Sequence, residues 1–466
     1  MKFTKFIIFY SSLRRIIQFS SHNIKSENGP SDERYRRIIL TAGSSFLVKL
    51  FSVAINLITV PLTLKYLGTE RYGLWMSISS LMALMAFADF GLGNGLLNEV
   101  AKSKGLNNKE IAVKAVSNTF FVLTFVSIIL LVLFLIIYPF VSWELFFNLN
   151  EPKAKEEAGL TFLALVIPLL VGIPLGIVQR IQDGYQEGYN FQLFQLLGSF
   201  ISFLSLISCV YFEIGLPGLV FAYSFGSIIA SILNAVVLFK NKYRFLLPRY
   251  VHFKIKESRI LFNTGLSFFV LSIFSLISSA SDNIIIARLL SPSNVVNFEI
   301  VKKIFLFSMI TQFLIQPLWP AFNEAISKGD LIWVRKTFNK AMKLSIGFGA
   351  VISLPLLLFG KQIIFYWVGG VYVPSWMLLF GFYLFVFQAN YGGVMSTLLN
   401  GANMLRKQIV FIGLASVTSL FLKFTLTKQF GIEGIIWATL ISYSVFYILP
   451  TWFIAQNFMK NKNYEN

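Results

Sequence analysis

Twelve apolar stretches, each long enough to cross a lipid bilayer, divide this chain. They centre near Val53, Ala83, Ile128, Leu170, Phe200, Phe225, Leu276, Ser308, Leu354, Phe385, Gly413 and Tyr443. A hydrocarbon core about 30 Å thick needs about 20 such residues per helix. Inside it every backbone N–H and C=O must be satisfied by the chain itself, so each stretch is predicted to be a helix. The chain is 56% hydrophobic and only 13% charged, with a mean hydropathy of +0.70. An ordinary soluble domain carries about 25% charged residues, so a water-soluble fold is excluded.

Charge sets the orientation. Lys and Arg exceed Asp and Glu by 40 to 21. A basic surplus can mark a nucleic-acid partner, but here 29 of the 40 fall in the leader and in the segments that follow even-numbered spans, against 7 in the opposite loops. That asymmetry is the positive-inside pattern of a polytopic protein. It predicts both termini in the cytoplasm and no nucleic-acid partner. Cys209 is the single cysteine, and His22 and His252 lie in polar segments. No disulfide framework, metal site, cofactor or catalytic histidine is expected.

The chain also repeats itself. Gly215-Leu216-Pro217-Gly218 opens one apolar run and Gly431-Ile432-Glu433-Gly434 the last one, 216 residues later. Asp183-Gly184 and Asn400-Gly401 lie 217 apart, and Asn98-Glu99 and Asn323-Glu324, each ahead of a Lys-Gly turn, lie 225 apart. Such a long-period duplication predicts two six-helix bundles related by an axis along the membrane normal, a plan common among transporters. The expected organisation is a basic cytoplasmic leader over 1–40, a bundle over 41–239, a basic linker over 240–261, a second bundle over 262–456 and a tail over 457–466. The leader alternates bulky apolar with basic residues, as a surface-lying segment or a disordered tail would.

Polar groups inside the spans are the candidate functional residues, because charge at the bilayer centre costs about 2.5–3.5 kcal/mol on insertion scales. Ser45, Lys49, Ser52, Asn56, Thr59 and Thr63 recur at alternating spacings of four and three, which holds them on one helical face. That stripe is expected to line an aqueous cavity. Hydrogen-bonded helix packing also explains the Ser and Thr, but fits Lys49 poorly. The seventh span repeats the theme with Ser272, Ser275, Ser279 and Asp282. A structural pairing of Asp282 with Arg288 or Lys302 is the competing explanation. Gln195 and Ser199 mark the fifth span, Ser416 and Lys423 the eleventh, and Lys302 and Lys303 the edge of the eighth. Lys423 is expected to snorkel toward the outer interface. Glu151, Glu156 and Glu157, in the longest outer loop, resemble a solvated helix face.

The second span ends in Ala88-Asp89-Phe90-Gly91-Leu92-Gly93-Asn94-Gly95-Leu96-Leu97-Asn98-Glu99. Three closely spaced glycines weaken a helix, each by about 1 kcal/mol relative to Ala, and permit a hinge or close packing. This run resembles the end-of-second-span signature of bacterial oligosaccharide flippases, the polysaccharide transporters that share a superfamily with the multidrug and toxin extruders. Asp282-Asn283-Ile284-Ile285-Ile286 and the six-plus-six plan resemble that family too, over roughly Ile39 to Phe458. Many relatives carry a basic residue where Leu97 stands. The resemblance implies a non-enzymatic transporter. Its cargo would be an oligosaccharide on a polyprenyl diphosphate, flipped from the cytoplasmic to the periplasmic leaflet of the inner membrane. Membrane lipid and the polymerase and glycosyltransferases of the same pathway are the implied partners.

An anionic diphosphate and a glycan call for cationic and hydroxyl-rich walls. Lys49, Ser52, Asn56, Asp89, Asn94, Gln195, Ser199, Ser275, Asp282, Lys302, Lys303, Ser416 and Lys423 are accordingly the candidate substrate-binding residues. A cation-coupled drug antiporter is the alternative, and would draw on Asp89 and Asp282. A membrane-embedded glycan polymerase is a further one, but no paired carboxylates or sizeable catalytic region is present. The sequence leaves a coupling ion, proton or sodium, open.

Overall fold

The computed structural model describes residues 29–84, 89–147, 149–290, 292–367 and 372–460. Most of the expected leader and residues 461–466 of the expected tail lie outside them. The described residues are overwhelmingly helical, with no strand among them. They form two compact units, the first ending at Leu266 and the second beginning at Ser267.

Ten helical segments among the described residues are long and apolar enough to cross a membrane. Each contains one of the predicted centres. The other two centres fall where helices are broken. In the first unit, α1 (Gly29–Leu84) leaves helical geometry at Gly68, with φ 77 and ψ 175. Its remainder and α2 (Leu92–Gly105) flank the glycine run. There Phe90 and Gly91 adopt φ 47 and 72, and α2 starts one residue later. In the second unit the eighth position comprises α9 (Pro292–Leu306), two short helical turns and α10 (Leu318–Ser327). Counting these two positions, the described residues account for the twelve expected spans, six in each unit.

The first unit continues with α3 (Lys109–Ile137), α4 (Pro152–Leu175), α5 (Ile177–Gly184), α6 (Gly188–Tyr211) and α7 (Leu216–Val237). The second unit opens within α8 (Ile255–Leu289) and goes on, after α9 and α10, to α11 (Leu331–Trp367), α12 (Trp376–Gly401), α13 (Leu405–Phe430), α14 (Glu433–Tyr443) and α15 (Leu449–Lys460). Helix starts follow ordinary capping chemistry. Asn108 accepts the Glu110 amide at 3.0 Å, Ser375 accepts that of Leu378 at 3.1 Å, and Pro152 and Pro217 sit in first turns that need no donor.

The repeat is written in the turns. Gln186 and Asn403, 217 apart, both take left-handed φ, at 60 and 53. Each turn closes by the same pair of reversed bonds, Glu187 N to Gln182 O and Gln186 N to Asp183 O in one unit, Met404 N to Leu399 O and Asn403 N to Asn400 O in the other. This is the Schellman closure that satisfies the last carbonyls of a helix. Asn107 and Gly329 end α2 and α10 in the same way. Gly184 and Gly401 explain why the motif is preserved. A Cβ on Gly184 would lie 2.7 Å from Val100 and 3.1 Å from the Leu97 carbonyl; one on Gly401 would lie 2.9 Å from Phe322 and 3.1 Å from the Asn323 amide. In both units a glycine lets the helix before the turn touch the backbone of an earlier one.

The apolar cores sit inside each unit. One cluster in the first unit joins Leu96, Val100, Val116, Ile177 and Ile181, and another joins Leu74, Ile78, Ala158, Leu206 and Leu219. Phe298, Phe305, Phe382 and Ile436 anchor the second unit. Phe125, Ile128, Ile136 and Ile137 on α3 remain exposed, as side chains that face lipid should.

Candidate translocation surface

In the first unit the polar stripe of α1 divides into two halves. Lys49 is exposed and Ser45 and Ser52 are half-buried, whereas Thr59 and Thr63 are only 5% and 1% exposed. The hydroxyls of Ser45, Ser52 and Thr63 all donate back to carbonyls of α1 itself, those of Thr41, Val48 and Thr59. These bonds use the hydroxyl protons without tying α1 to a neighbour, and leave the oxygens able to accept. Among the described residues Lys49 forms no ion pair. The Asn56 side chain lies outside the described residues. α1 packs against α6, where Gln195 is exposed and Ser199 half-buried, its hydroxyl donating to the Gln195 carbonyl at 3.0 Å. Ser202, one turn on, is buried and donates to the Tyr223 carbonyl at 2.6 Å, binding α6 to α7.

Asp89 sits at the glycine turn and accepts the Gly91 amide at 2.9 Å. A Cβ on Gly93 would meet both an Asp89 carboxylate oxygen, at 2.8 Å, and the Arg180 Nε, at 2.9 Å. The glycine is needed because a carboxylate from its own turn and a guanidinium from α5 converge over it. Asn94 is half-buried in the first turn of α2.

The second unit gathers three of its candidates into one charge cluster, buried at Lys423 and half-buried at Asp282 and Lys302. Lys423 Nζ lies 2.6 Å from Asp282 Oδ1, and Lys302 Nζ lies 3.8 Å from Asp282 Oδ2. Lys302 also meets Glu299 at 3.0 Å. The Lys423 ammonium donates to the Ser278 carbonyl at 2.7 Å and approaches the Ser281 hydroxyl at 3.4 Å. Lys423 is 1% exposed. The expected snorkelling is therefore corrected: the ammonium does not reach an interface but is held inside the unit by the carboxylate and a carbonyl. Arg288, one of the two partners foreseen for Asp282, is exposed. Ser416 is buried and bonds the Phe274 carbonyl and the Tyr443 hydroxyl, at 3.4 and 3.1 Å. Ser275 and Lys303 are exposed.

Two ion-pair assemblies escaped the sequence reading. Arg71 grips Glu157 with two bonds of 2.7 and 2.8 Å, and Glu157 also accepts the Leu216 amide at 3.2 Å. Glu157 is thus a brace joining α1, α4 and α7, not part of a solvated face, while Glu156 is exposed. At the other end of the unit, Glu187 receives Arg37 at 3.2 Å and Lys242, and Arg37 also donates to the Tyr185 carbonyl at 2.7 Å. Glu157 lies 86 residues from Arg71, and Glu187 lies 150 from Arg37, separations at which spacing carries no signal.

These features define a class: a multi-pass, all-helical membrane protein with polar side chains along its spans and, among the described residues, no group of His, Cys, Asp and Glu that could hold a metal. The particular family follows from comparison. The family model described as polysaccharide biosynthesis protein matches residues 41–326, and the chain belongs to that family. A candidate O-antigen transporter of Salmonella typhimurium is 24% identical over 90% of this chain and 97% of its own. A candidate O-antigen export protein of Yersinia pseudotuberculosis is 25% identical over 68% and 71%. Among solved structures, the outward-facing form of a multidrug resistance transporter of the MATE family and MOP superfamily aligns with a TM-score of 0.75 at 14% identity, covering 92% of this chain and 97% of that one. The fold is shared with that transporter.

Proposed function

We propose that this protein flips a polyprenyl-diphosphate-linked oligosaccharide from the cytoplasmic to the periplasmic leaflet of the bacterial inner membrane, by alternating access, for assembly of a surface polysaccharide. Both termini lie in the cytoplasm. The cargo is produced and consumed by the glycosyltransferases and glycan polymerase of the same pathway. Relatives named for O-antigen transport, matched over 90% and 91% of the chain, support the cargo class. The sign of the available charge carries the choice between readings. Asp282, one of two carboxylates a cation antiporter would use, is already neutralised by Lys423 and flanked by Lys302. Lys49, by contrast, presents an uncommitted ammonium beside serine hydroxyls. Such a surface receives a diphosphate and sugar hydroxyls better than an organic cation.

Lys49 contacts the diphosphate in this scheme, with Ser52, Asn94, Gln195 and Ser199 of the same unit offering polar atoms to the glycan. Asp282, Lys302, Ser416 and Lys423 hold the second unit in shape. Lys49→Ala, in cells lacking the native gene, should cut surface polysaccharide at least tenfold with protein level unchanged, and lipid-linked repeat units should accumulate. Lys49→Arg should restore export. Normal export by Lys49→Ala would remove Lys49 from the mechanism; export of organic cations by the native protein would favour the antiporter.

A further inference from the structure

The segment after α7 is not a slack tether. It is wound as a turn over Leu238–Lys242 followed by short helical turns at Arg244–Leu246 and Tyr250–His252. Leu246 is fully buried and Tyr243 nearly so, with the Tyr243 ring stacked on Tyr185 at 4.6 Å. Further along, the Arg249 amide donates to the Ser117 hydroxyl at 3.3 Å and the Lys254 amide to the Asn118 side chain at 2.8 Å. Phe121 of α3 meets the Tyr250 and Phe253 rings at 5.8 and 5.6 Å. The segment is thus fastened by both backbone and rings to the start of α3.

What it holds outward is unusual. Tyr250 and Val251, at the apex of the last turn, are 76% and 83% exposed. Lys240, Arg244 and Arg249 of the same segment are exposed too. Between residues 240 and 259 there are seven basic residues and one acidic. A solvated connector needs no fixed apolar apex. Positive-inside bias explains the sign of the charge but not why two apolar side chains of a basic segment are held out from the fold. An exposed aromatic and aliphatic tip on a segment rich in exposed Lys and Arg matches the chemistry of a bilayer's headgroup layer: anionic phosphates meet the cations while the tip enters the acyl boundary.

We propose that the 240–254 segment is an interfacial anchor for anionic lipid headgroups, with Tyr250 and Val251 inserted and Lys240, Arg244 and Arg249 contacting phosphates. The anchor does not depend on the identity of the cargo. It clamps the end of the first unit to one leaflet.

The single native cysteine makes the test direct. Full-length protein carrying Cys209→Ser and Val251→Cys is spin-labelled at position 251 and reconstituted into vesicles of phosphatidylcholine alone or mixed equally with phosphatidylglycerol. Power saturation then compares collisions with lipid-soluble oxygen and water-soluble nickel chelate. The oxygen-to-nickel ratio should rise at least twofold in the anionic vesicles. That rise should vanish when Lys240→Gln, Arg244→Gln and Arg249→Gln are added. It should also shrink in about 1 M salt, where the screening length falls to about 3 Å, so a triple variant that fails to fold leaves the salt series to decide. A label equally open to nickel in both vesicle types, or an insertion indifferent to charge and salt, overturns the proposal.

Discussion

The two units share a backbone plan and handle charge in opposite ways. The first keeps its ion pairs at its two ends, Arg71 with Glu157 and Arg37 with Glu187, and leaves Lys49 exposed on a span between them. The second sinks its principal pair into the spans, Lys423 against Asp282. Yet the turn after α5 and the turn after α12 close with the same hydrogen bonds, over the same glycine contact. Duplication has conserved what the crossing of helices demands and released what it does not. Backbone contact admits only glycine. A polar position inside a unit accepts any residue whose polar atoms find partners, so charge was free to diverge.

The largest effect expected from this contrast is at the buried pair. Lys423→Ala leaves the Asp282 carboxylate without its 2.6 Å partner in a low-dielectric interior. Removing one member of a buried pair costs about 3–5 kcal/mol. Thermal unfolding in detergent should show that loss, and adding Asp282→Asn to the same chain should recover most of it. Lys49→Ala, in the first unit, should leave unfolding unchanged. If the two lysines proved equally important to stability, the contrast between a structural and an available cation would fail.

Next come the shared crossings. Gly184→Val and Gly401→Val each drive side-chain carbons into a neighbouring backbone, where overpacking costs about 1–3 kcal/mol. The expectation sharpened by the comparison is equality: the two losses should agree within about 0.5 kcal/mol, because the contacts have the same geometry. A large loss at Gly184 and none at Gly401 would mean that the second crossing is no longer needed.

These residues also mark how far the sequence could be read. The glycines, the turns and the apolar runs are local, so the 217-residue period between Asp183-Gly184 and Asn400-Gly401 foretold a duplicated fold. The glycine run after Asp89 marked a weak point that permits a hinge or close packing, because closely spaced glycines lower the cost of leaving the helix, and the turn falls at Phe90 and Gly91. The charge pairs were not legible. Lys423 lies on a helix 141 residues after Asp282, and periodicity gives the face a residue occupies on its own helix, not the helix that face will meet. A lone lysine near a span's end therefore looks the same in sequence whether it snorkels or pairs. The stripe of α1 was visible, but not its division into an open half around Lys49 and a buried half around Thr59 and Thr63.

Smaller effects belong to the ends of the units. Asn108→Ala removes the 3.0 Å cap at the start of α3, a loss of about 1 kcal/mol seen as faster amide exchange in its first turn. Ser375→Ala should do the same to α12 in the second unit, with a further loss because the Ser375 hydroxyl also donates to Glu433. If only α3 frayed, the two caps would not be doing equivalent jobs.

The smallest effect is one of pH, at the opposite end of the first unit. Glu70 is half-buried, and its carboxylate accepts the amides of Asn150 and Glu151, the latter at 2.9 Å, fixing the loop ahead of α4. Those backbone donors favour the ionised form and hold its pKa below the ordinary glutamate value. A carboxylate with a lowered folded pKa gives its stabilisation in full above the unfolded value, and loses it as pH falls through the folded one. Amide exchange at Asn150 and Glu151, corrected for its intrinsic pH dependence, should therefore be slow at neutral pH and accelerate below the ordinary carboxylate range. Glu70→Gln should abolish that dependence, because a neutral amide oxygen accepts the same bonds at every pH. Protection that persisted unchanged in acid would show that the loop is held by its packing against α1 rather than by this carboxylate.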